Sequence, residues 1–486
     1  MSQSTVVRET AAQAATYPFL LDGKFLAEGE RVEIRAPWDQ GLVGVTYRAT
    51  REHAQAATQA AVRAFEITRK LPAYERQRVL RAISAALARE KENLARVLAQ
   101  EAGKPIKLAR GEIDRAVFTF SAAAEETTRI YGEMLPLDVT EQTAGRWGIT
   151  RRFPLGPVLA ITPFNFPINL VAHKIAPAIA AGCTMVFKPA PQAPLSGLML
   201  AELVQQVGWP DGALNAMLLS NETASELVQD ERFKMLTFTG SAAVGWQLKN
   251  RAGRKKVVLE LGGNAGVIVH SDADLAYAAE RCVVGGFAYA GQVCISVQRI
   301  FVQRAVAEEF TDFLVEGACK LKAGDPLDQS TTLGPMITEK DAIRAEQWVR
   351  EAVDAGAILL CGGKRQGSVL EPTVLTATRP EMRVNCQEVF APVVTVEPYD
   401  DFGDAIRRMN DTPYGLQAGV FTRDTALLFR AFEELEVGAV IASDVPSFRV
   451  DTMPYGGVKQ SGLGREGLRW SIKDMTEERL LVMNTR

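Results

Sequence analysis

The sequence predicts an α/β fold whose first lobe is built on a doubly wound parallel sheet. From residue 156 onward, short continuous apolar runs alternate with stretches of helical periodicity. Strands that are apolar throughout are typical of parallel sheets that helices cover on both faces. The same alternation resumes after residue 266 and predicts a second α/β series. The length of 486 residues exceeds one ordinary hydrophobic core and predicts two or three domains.

The individual elements follow from the spacing of apolar residues. Val79, Ile83 and Leu87, followed by Leu94 and Leu98, predict two helices within 52–100, and a further helix is predicted over 110–130. The first lobe then continues as strand 158–161, helix 168–181, strand 184–187, helix 196–207, strand 214–219, helix 222–229, strand 235–238, helix 242–252 and strand 257–261. The second lobe continues as strand 266–269, helix 273–288, strand 297–303, helix 306–322 and helix 338–355.

Two segments are predicted to project from these lobes. Residues 132–152, with a turn at 140–145, are predicted to form a hairpin that interrupts the first lobe. The tail, residues 470–486, is interpreted as a second projecting arm. Gly262 and Gly263 follow the last strand of the first lobe, and we interpret them as a hinge between the lobes.

Composition and charge exclude several classes of partner. An apolar fraction of 47% and a charged fraction of 23% are those of a soluble globular protein. Lys and Arg number 55 against 58 Asp and Glu, and the resulting net charge of −3 argues against nucleic acid as a partner. The one dense basic run, 251–256, lies at the end of a predicted helix, where it complements the helix dipole.

Targeting signals and metal ligands are not evident in the sequence. No apolar stretch approaches the roughly 18 residues that cross a bilayer, and residues 1–16 lack the hydrophobic core of a signal peptide. The six cysteines are far apart and form no CxxC pair, which indicates free thiols in a reducing compartment. Three histidines without clustered ligands predict no metal site. We therefore expect a cytoplasmic protein without a membrane partner.

Three residues in separate segments have the chemistry of thiol catalysis, which needs a nucleophile, a proton acceptor and a donor for an oxyanion. Cys294 follows Gly291 on a predicted loop whose small residues leave room for a substrate. Glu260 ends an apolar strand, where partial burial raises a carboxyl pKa and suits a base. Asn165 follows a strand, and its amide can donate to an oxyanion. The structural alternative is an inert core cysteine for Cys294, a buried ion pair for Glu260 and a turn cap for Asn165.

Other residues lie where a nucleotide would bind. Gly240 and Ser241 stand at a strand-to-helix turn, where glycine admits a phosphate and the helix terminus offers unpaired N–H groups. Taken alone, their spacing favours a tight turn, because it departs from GxGxxG. Lys188 ends a strand of the same sheet and is either a ribose ligand or a surface lysine. Glu388, shortly before Phe390, either folds back onto a ribose or belongs to a strand edge.

Taken in chain order, these motifs resemble the aldehyde dehydrogenase superfamily over nearly the whole chain. The matching stretches are Pro163 to Pro167, Lys188-Pro189, Phe238 to Ser241, Leu259 to Gly263, Gly291 to Cys294, Glu388 to Pro392 and Pro454 to Gly457. The resemblance implies an aldehyde dehydrogenase-like α/β fold with a small β oligomerisation arm. It further implies a cofactor-binding domain of residues 1–131 and 153–259, a catalytic domain of residues 260–469, and an arm and tail of residues 132–152 and 470–486.

The resemblance also implies a mechanism and a cofactor. Cys294 attacks the aldehyde to give a thiohemiacetal, whose oxyanion is held by the Asn165 amide and the Cys294 backbone N–H. Hydride transfer leaves a thioester, and Glu260 activates the water that hydrolyses it to a carboxylic acid. The cofactor is NAD or NADP, and the residues implied to bind it are Thr162, Phe164, Lys188, Gly240, Ser241, Leu261, Glu388 and Phe390. A homodimer or homotetramer is implied, assembled through the arm and tail.

Two positions refine these expectations. Family members that prefer NAD usually carry a glutamate three residues after the motif lysine, and here that position is Pro191, followed by Gln192. Since no neighbouring arginine or second lysine pairs with a phosphate either, we expect use of both NAD and NADP. Glu260 predicts hydrolysis, because branches that transfer the acyl group to coenzyme A generally lack this glutamate.

Only a few positions of the sequence indicate the substrate. Residues 443–451 resemble members acting on small anionic or hydroxylated aldehydes, such as succinate semialdehyde and lactaldehyde. Within them Arg449 either pairs with a distal carboxylate of the substrate or is a solvated loop arginine. Val293 stands where members that oxidise glyceraldehyde-3-phosphate without phosphorylation carry an arginine, which disfavours that substrate. Ile295 excludes a vicinal disulfide with Cys294.

Alternatives of a different class stay open at this point. A thiol amidase would also use Cys, Glu and Lys, but the nucleotide-type sheet and the Gly-Ser turn argue against it. A catalytically silent structural or binding relative is the second alternative, against which Cys294, Glu260 and Asn165 together argue. For the substrate, glyceraldehyde-3-phosphate or another aldehyde is the alternative.

Overall fold

The structure, a computed structural model, describes residues 15–485. The expected lack of a signal peptide concerns residues 1–16, nearly all of which lie outside the described residues. Across the described part of the chain, no helix combines the length and the apolar character needed to cross a membrane.

The elements up to residue 260 build the first sheet and its helices. In chain order they are β1 (Phe19–Leu21), β2 (Lys24–Leu26), β3 (Glu30–Arg35), β4 (Leu42–Arg48), α1 (Arg51–Thr68), α2 (Ala73–Arg89), α3 (Lys91–Ala102), α4 (Ile106–Thr127), β5 (Met134–Pro136), β6 (Arg146–Pro154), β7 (Val158–Ile161), α5 (Asn169–Ala181), β8 (Met185–Lys188), α6 (Leu195–Gln206), β9 (Leu214–Ala216), α7 (Asn221–Gln229), β10 (Met235–Thr239), α8 (Ala242–Arg251) and β11 (Lys256–Glu260).

The elements after residue 260 build the second sheet and return to the first. In chain order they are β12 (Ala265–Val269), α9 (Leu275–Phe287), β13 (Val297–Gln303), α10 (Ala307–Cys319), α11 (Glu339–Asp354), β14 (Ile358–Cys361), β15 (Arg365–Gln366), β16 (Val369–Leu370), β17 (Thr373–Thr376), α12 (Arg383–Cys386), β18 (Val393–Tyr399), α13 (Phe402–Asn410), β19 (Tyr414–Gly415), β20 (Gln417–Phe421), α14 (Thr425–Glu434), β21 (Ala439–Ala442), β22 (Val458–Lys459), β23 (Gly462–Leu463), α15 (Leu468–Asp474) and β24 (Thr476–Asn484).

The first sheet has the strand order β2-β1-β9-β8-β7-β10-β11-β23. Neighbours from β9 to β11 run parallel, which confirms the predicted doubly wound parallel sheet. All four residues of β7 and of β8 are buried, as their continuous apolar sequence predicts. Parallel strands bring their carboxyl ends to one edge, so Ile161, Lys188, Thr239 and Glu260 end there together.

The second sheet has the strand order β14-β17-β18-β13-β12-β20-β21. Its neighbours from β17 to β21 are parallel, and β14 pairs antiparallel at the edge. A separate hydrophobic cluster packs α9 and α10 against this sheet. The strand β23, which comes late in the chain, nevertheless pairs with β11 of the first sheet. The predicted division into domains stays a prediction.

A third sheet, which we call the arm sheet, has the order β24-β6-β5. The pairing of β5 with β6 confirms the hairpin predicted in 132–152. Strand β24 of the tail pairs antiparallel with β6 along its full length. The two arms that were predicted separately therefore form one sheet, because the tail returns alongside the hairpin.

The prediction of two helices within 52–100 was wrong, since this stretch holds α1, α2 and α3. The predicted spacing belongs to α2 and α3, which Glu90 separates. The helix α1 was missed because its buried face consists of small residues, chiefly Ala54, Ala57, Ala60, Ala61 and Ala64. Alanine gives a weak hydrophobic period but the highest helix propensity.

Candidate active site

A cavity of about 310 Å³ opens where the carboxyl edge of the first sheet faces the loop that carries Cys294. Most of the predicted site residues line it, namely Phe164, Asn165, Gly240, Ser241, Glu260, Leu261, Cys294, Glu388 and Phe390. Thr162, Lys188 and Arg449 are not among its lining residues. The lining also includes residues that sequence reasoning missed, namely Leu170, Asp341 and Arg344.

Cys294 and Glu260 open onto this same cavity. Burial raises the pKa of the Cys294 thiol to about 11, against the lowering effect of a hydrogen bond from Tyr455 and the charge of Arg449. Burial, followed by the charge of Glu466, raises the pKa of Glu260 well above its usual value. Neither carboxyl oxygen of Glu260 has a hydrogen-bond partner among residues 15–485, so the side chain is not in the ion pair that was its alternative. A buried carboxylate with free oxygens suits a base acting on water.

The two glycines after Glu260 permit a close approach of three segments. A Cβ at Gly262 would collide with the Glu388 carboxylate, and one at Gly263 would collide with the Cys294 carbonyl. The backbone N–H of Gly263 donates to Glu388 at 3.0 Å. Packing therefore accounts for this glycine pair, whereas its role as a hinge stays a prediction.

The loop before the nucleophile has a left-handed backbone. Tyr289, Ala290 and Gly291 have φ of 50°, 52° and 67°, and such runs of non-glycine residues persist only where the surroundings fix them. A Cβ at Gly291 would collide with the Ala391 carbonyl. The loop that bears Cys294 thus lies backbone to backbone against the segment that bears Glu388 and Phe390.

Asn165 lies in the loop between β7 and α5, next to this nucleophile loop. Its amide nitrogen donates to the Gln292 carbonyl at 3.0 Å. A primary amide has two N–H donors, so one is left to point at a substrate oxygen. The backbone N–H of Cys294 makes no hydrogen bond with any described residue. These two donors form a candidate oxyanion site.

A buried ion pair, Lys104 with Glu112, fixes the loop that carries Asn165. Lys104 donates to the Asn165 carbonyl at 2.6 Å and also to the Glu112 carboxylate. Glu112 in turn accepts from the backbone N–H groups of Ile168 and Asn169, at 2.9 and 3.1 Å. Both charged side chains are 1% exposed. Sequence reasoning missed this pair, because a lysine just before a helix and a glutamate within it are typical of exposed positions.

The amino terminus of α8 offers a phosphate site. Ser241 is its exposed N-cap, and its side chain makes no capping hydrogen bond. A Cβ at Gly245 would collide with Leu261. The glycine therefore allows α8 to lie close to the end of β11. The first-turn N–H groups of an α-helix lack intrahelical partners and attract anions.

Lys188 and Thr162 lie at the same edge of the first sheet, at the ends of β8 and β7, and are joined by a 3.2 Å backbone hydrogen bond. Lys188 is 5% exposed, so it is not the surface lysine that was its alternative. Burial, followed by the charge of Arg48, lowers the pKa of Lys188 to about 8. A second cation, Arg48 at the end of β4, is near enough to influence Lys188, and its guanidinium pairs with Glu30. The expectation that no neighbouring arginine or lysine pairs with a cofactor phosphate stays a prediction.

Glu388 and Phe390 enter the cavity from the second sheet. Burial raises the pKa of Glu388 to about 7, although the Gly263 N–H and the charge of Arg344 lower it. The rings of Phe390 and Phe164 meet edge to face, with centroids 6.0 Å apart. This aromatic pair therefore lines the same cavity as the Cys294 thiol.

These residues fit a nicotinamide dinucleotide. The uncapped terminus of α8 can hold the pyrophosphate. Lys188, which makes no side-chain hydrogen bond with any described residue, and Glu388 can hold ribose hydroxyls, since one donates and the other accepts. The phenylalanine pair can border the nicotinamide.

Arg449 lies behind the cavity wall. Its guanidinium pairs with Glu466 at 3.1 Å and lies 3.7 Å from the ring centroid of Tyr455. The side chain is 7% exposed, so the alternative of a solvated loop arginine was wrong. Glu466 also pairs with Lys174 at 3.0 Å. Burial would raise the pKa of Glu466, but Lys174 and Arg449 hold it at about 2.

A second buried cluster adjoins Arg449 and was also missed. Asp451 accepts from Arg115 at 2.6 Å, from Asn169 at 3.1 Å and shares a 2.8 Å hydrogen bond with His173. Burial opposes ionisation of Asp451, but the bond and charge of His173 and those of Arg115 hold its pKa far below the usual value. The sequence signal was a histidine and a lysine inside α5, an otherwise apolar and fully buried helix.

Comparison with known proteins agrees with this geometry. The model of the aldehyde dehydrogenase family matches residues 25–481. The 3-sulfolactaldehyde dehydrogenase of Priestia aryabhattai is 43% identical over 473 residues, which cover 97% of this chain and 99% of that protein. Aldehyde dehydrogenase 21 from Physcomitrella patens, solved in complex with the reaction product succinate, is 44% identical with a TM-score of 0.96, covering 97% of this chain and 99% of that one.

A further solved structure bears on the cofactor. The NADP-dependent glyceraldehyde-3-phosphate dehydrogenase from Bacillus halodurans, complexed with NADP, is 37% identical with a TM-score of 0.94, covering 98% of this chain and 100% of that one. The fold and the reaction class inferred from the sequence are thereby confirmed. This chain belongs to the aldehyde dehydrogenase family and is an enzyme that oxidises a small aldehyde with NAD or NADP.

Proposed function

We propose that the enzyme converts a small anionic or hydroxylated aldehyde to its carboxylic acid, with Cys294 as nucleophile and Glu260 as the base for hydrolysis. The single observation that carries this proposal is that both side chains line one cavity. A water molecule or an aldehyde in that cavity has access to both groups. A catalytically silent relative is not expected to retain an unpaired buried carboxylate in the same cavity as a thiol, because burying such a group lowers the stability of the fold.

The first half of the reaction acylates the thiol. The Cys294 thiolate adds to the aldehyde carbon, a C–S bond forms, and the carbonyl oxygen becomes an oxyanion. The free N–H of the Asn165 amide and the Cys294 backbone N–H stabilise it, which is worth about 3–4 kcal/mol per donor. NAD(P), when bound, supplies the hydride acceptor. Collapse of the oxyanion then leaves a thioester on Cys294.

The second half frees the thiol. Glu260 takes a proton from water, the hydroxide adds to the thioester carbon, and the C–S bond breaks. Burial and the nearby Glu466 charge favour this role, because they raise the Glu260 pKa towards the working pH. Hydrolysis rather than transfer to coenzyme A is therefore proposed.

A substrate with a distal anion is supported by the relatives rather than by the charges behind the cavity. There the cations of Arg449, Arg115 and Lys174 are matched by the carboxyl groups of Asp451, Glu466 and Glu260. The relatives named for 3-sulfolactaldehyde and succinate semialdehyde point to an anionic aldehyde, and the relative named for lactaldehyde points to a hydroxylated one. Glyceraldehyde-3-phosphate is the alternative substrate, because two similar structures, both complexed with NADP, are those of glyceraldehyde-3-phosphate dehydrogenases.

Use of both cofactors is proposed from the surroundings of Lys188. Pro191 cannot accept a hydrogen bond from the adenosine 2′-hydroxyl through its side chain, and Arg48 adds positive charge near Lys188. Neither feature disfavours a 2′-phosphate. We expect Kd values for NAD and NADP that differ by less than about a hundredfold, or about 2.7 kcal/mol.

Assembly into a homodimer or homotetramer is proposed through the arm sheet. Strand β24 is an edge strand of that sheet, and it exposes Leu480, Leu481, Val482 and Met483. An exposed apolar edge strand promotes pairing with another chain. The predicted role of the arm and tail in assembly rests on this surface.

The proposed chemistry is tested by following cofactor reduction with a panel of short aldehydes. The panel pairs each anionic aldehyde with a neutral one of equal length, for example succinate semialdehyde with butanal. We expect turnover with both cofactors and higher kcat/KM for the anionic members. Cys294→Ala should abolish turnover, and Glu260→Gln should give one rapid equivalent of reduced cofactor per subunit followed by slow turnover.

The outcomes separate the parts of the proposal. Equal kcat/KM for anionic and neutral aldehydes would reject the anionic substrate class. An unchanged preference in Arg449→Ala would remove that residue from substrate recognition. Acyl-coenzyme A as the main product would reject hydrolysis, and activity retained in Cys294→Ala would reject the nucleophile.

A further inference from the structure

The hydroxyl of Tyr455 lies 3.0 Å from the Cys294 sulfur. Tyr455 is 3% exposed and follows Pro454 in the motif that ends at Gly457. Backbone hydrogen bonds in both directions tie it to Glu466, at 3.0 and 2.6 Å. These backbone hydrogen bonds fix the position of Tyr455, so its hydroxyl stays in contact with the Cys294 sulfur, which is a reacting atom.

The face of the Tyr455 ring carries a buried cation. The Arg449 guanidinium carbon lies 3.7 Å from the ring centroid, well within the range of a cation–π contact. Glu466 pairs with Arg449 at 3.1 Å and holds it in place. A cation over a phenol draws electron density from the ring, so the hydroxyl becomes a stronger hydrogen-bond donor.

The direction of the hydrogen bond depends on whether Cys294 is ionised, since either atom can donate while the thiol keeps its proton. Burial, followed by the charge of Cys294, keeps the pKa of Tyr455 well above its usual value, so the phenol retains its proton. Once Cys294 is ionised the sulfur can only accept, and a thiolate accepts more strongly than a thiol. Both the Tyr455 hydrogen bond and the Arg449 charge lower the Cys294 pKa, which burial alone would raise further.

We infer that Tyr455, polarised by Arg449, donates to the Cys294 thiolate and stabilises it before the aldehyde arrives. The thiol proton leaves to solvent in the cavity, and Tyr455 keeps its own. Tyr455 is thus a catalytic residue of the resting enzyme, and Arg449 is a positioning residue that acts through it. The inference rests on the proposed role of Cys294 as nucleophile.

The test measures alkylation of Cys294 by iodoacetamide against pH, without aldehyde, in the full-length enzyme and in Tyr455→Phe. Peptide mass spectrometry reports each cysteine separately, and exposed Cys319 serves as an internal control. Loss of one hydrogen bond to a charged group should raise the pH midpoint for Cys294 by about one unit and slow its alkylation at neutral pH about tenfold.

Arg449→Met provides an independent arm, and Arg449→Lys, which keeps the charge, is its matched control. The methionine variant should shift the Cys294 midpoint in the same direction as Tyr455→Phe, and the lysine variant should shift it less. A buried Cys282 that stays unreactive shows in each case that the fold persists.

Slower alkylation of Tyr455→Phe with an unchanged pH midpoint would overturn the inference, because the hydroxyl would then only orient the sulfur. A midpoint that Arg449→Met leaves unchanged would overturn the role of the arginine. Alkylation needs no turnover, so these results are separate from a failure of the proposed oxidation. If the inference holds, the pH profile of kcat/KM shifts by the same amount as the alkylation midpoint.

Discussion

The ion pair of Lys104 and Glu112 should be the most sensitive position of the fold outside the cavity. Glu112→Gln preserves size but leaves the Lys104 ammonium buried without a counter-ion. Removing one partner of a buried pair costs about 3–5 kcal/mol. Lys104→Met should cost less than Glu112→Gln, because Glu112 keeps two backbone N–H donors, from Ile168 and Asn169.

The double variant separates charge from packing. Lys104→Met with Glu112→Gln buries no charge, so it should be more stable than Glu112→Gln alone by about 1–3 kcal/mol. Activity should fall in all three variants, since Lys104 fixes the Asn165 carbonyl at 2.6 Å and Glu112 fixes the backbone N–H groups of Ile168 and Asn169. Misplacement of a substrate-positioning group by about 1 Å can cost about a hundredfold in rate.

The destabilisation should also depend on pH. Burial already lowers the pKa of Lys104 in the native protein, and loss of the carboxylate lowers it further. Lys104 then titrates below its unfolded value of about 10.4, so the unfolded chain binds more protons and stability rises with pH. The penalty of Glu112→Gln should therefore shrink as the pH rises from neutrality towards about 10.

Urea denaturation followed by circular dichroism, at several pH values, measures these free energies of unfolding. Wild type and Lys104→Met are the matched controls, since neither gains an unpaired buried cation. The reasoning would be refuted if Glu112→Gln lost less than about 1 kcal/mol, or if its penalty were the same at all pH values.

Four further outcomes are expected. Asn165→Ala should lower kcat/KM by about 10²–10³ through loss of an oxyanion donor, with the cofactor Kd unchanged in a fluorescence titration. The cofactor KM should rise as the pH falls through about 7, where Glu388 becomes protonated and loses its charge, and Glu388→Gln should remove this rise. Arg48→Gln should weaken NADP binding several-fold, by about 0.2–1 kcal/mol, and leave NAD binding unchanged, as calorimetry can show. Leu481→Lys should lower the oligomeric state in light scattering; an unchanged mass would remove β24 from the interface.

The parallel sheets could be predicted from the sequence because their strands are short, apolar throughout and separated by helical spacing. Cys294, Glu260 and Asn165 could be predicted because each stands in a distinctive motif at a strand end or loop. Glu260 and Asn165 meet because parallel strands end at one edge, and the predicted topology already contained that condition. Cys294 reaches the same cavity on a loop before β13 of the second sheet, and the predicted topology did not place that loop.

The residues that were missed share a physical reason. Lys104, Glu112 and Glu466 are charged, and charged side chains are rarely buried, so local sequence assigns them to the surface. Their burial depends on partners far along the chain, as for Lys174 with Glu466. Arg48 lies near enough to Lys188 to help lower its pKa, and no local pattern predicts that proximity.

The backbone contact between Gly291 and Ala391 limits how the enzyme can be re-engineered. Because main chain meets main chain there, neither stretch has a flexible side chain that could absorb a change in the other. Grafting 386–392 from a relative, to alter coenzyme choice, should displace the sulfur unless 289–294 is transplanted with it. The two stretches are a single exchangeable unit, although almost a hundred positions separate them along the chain.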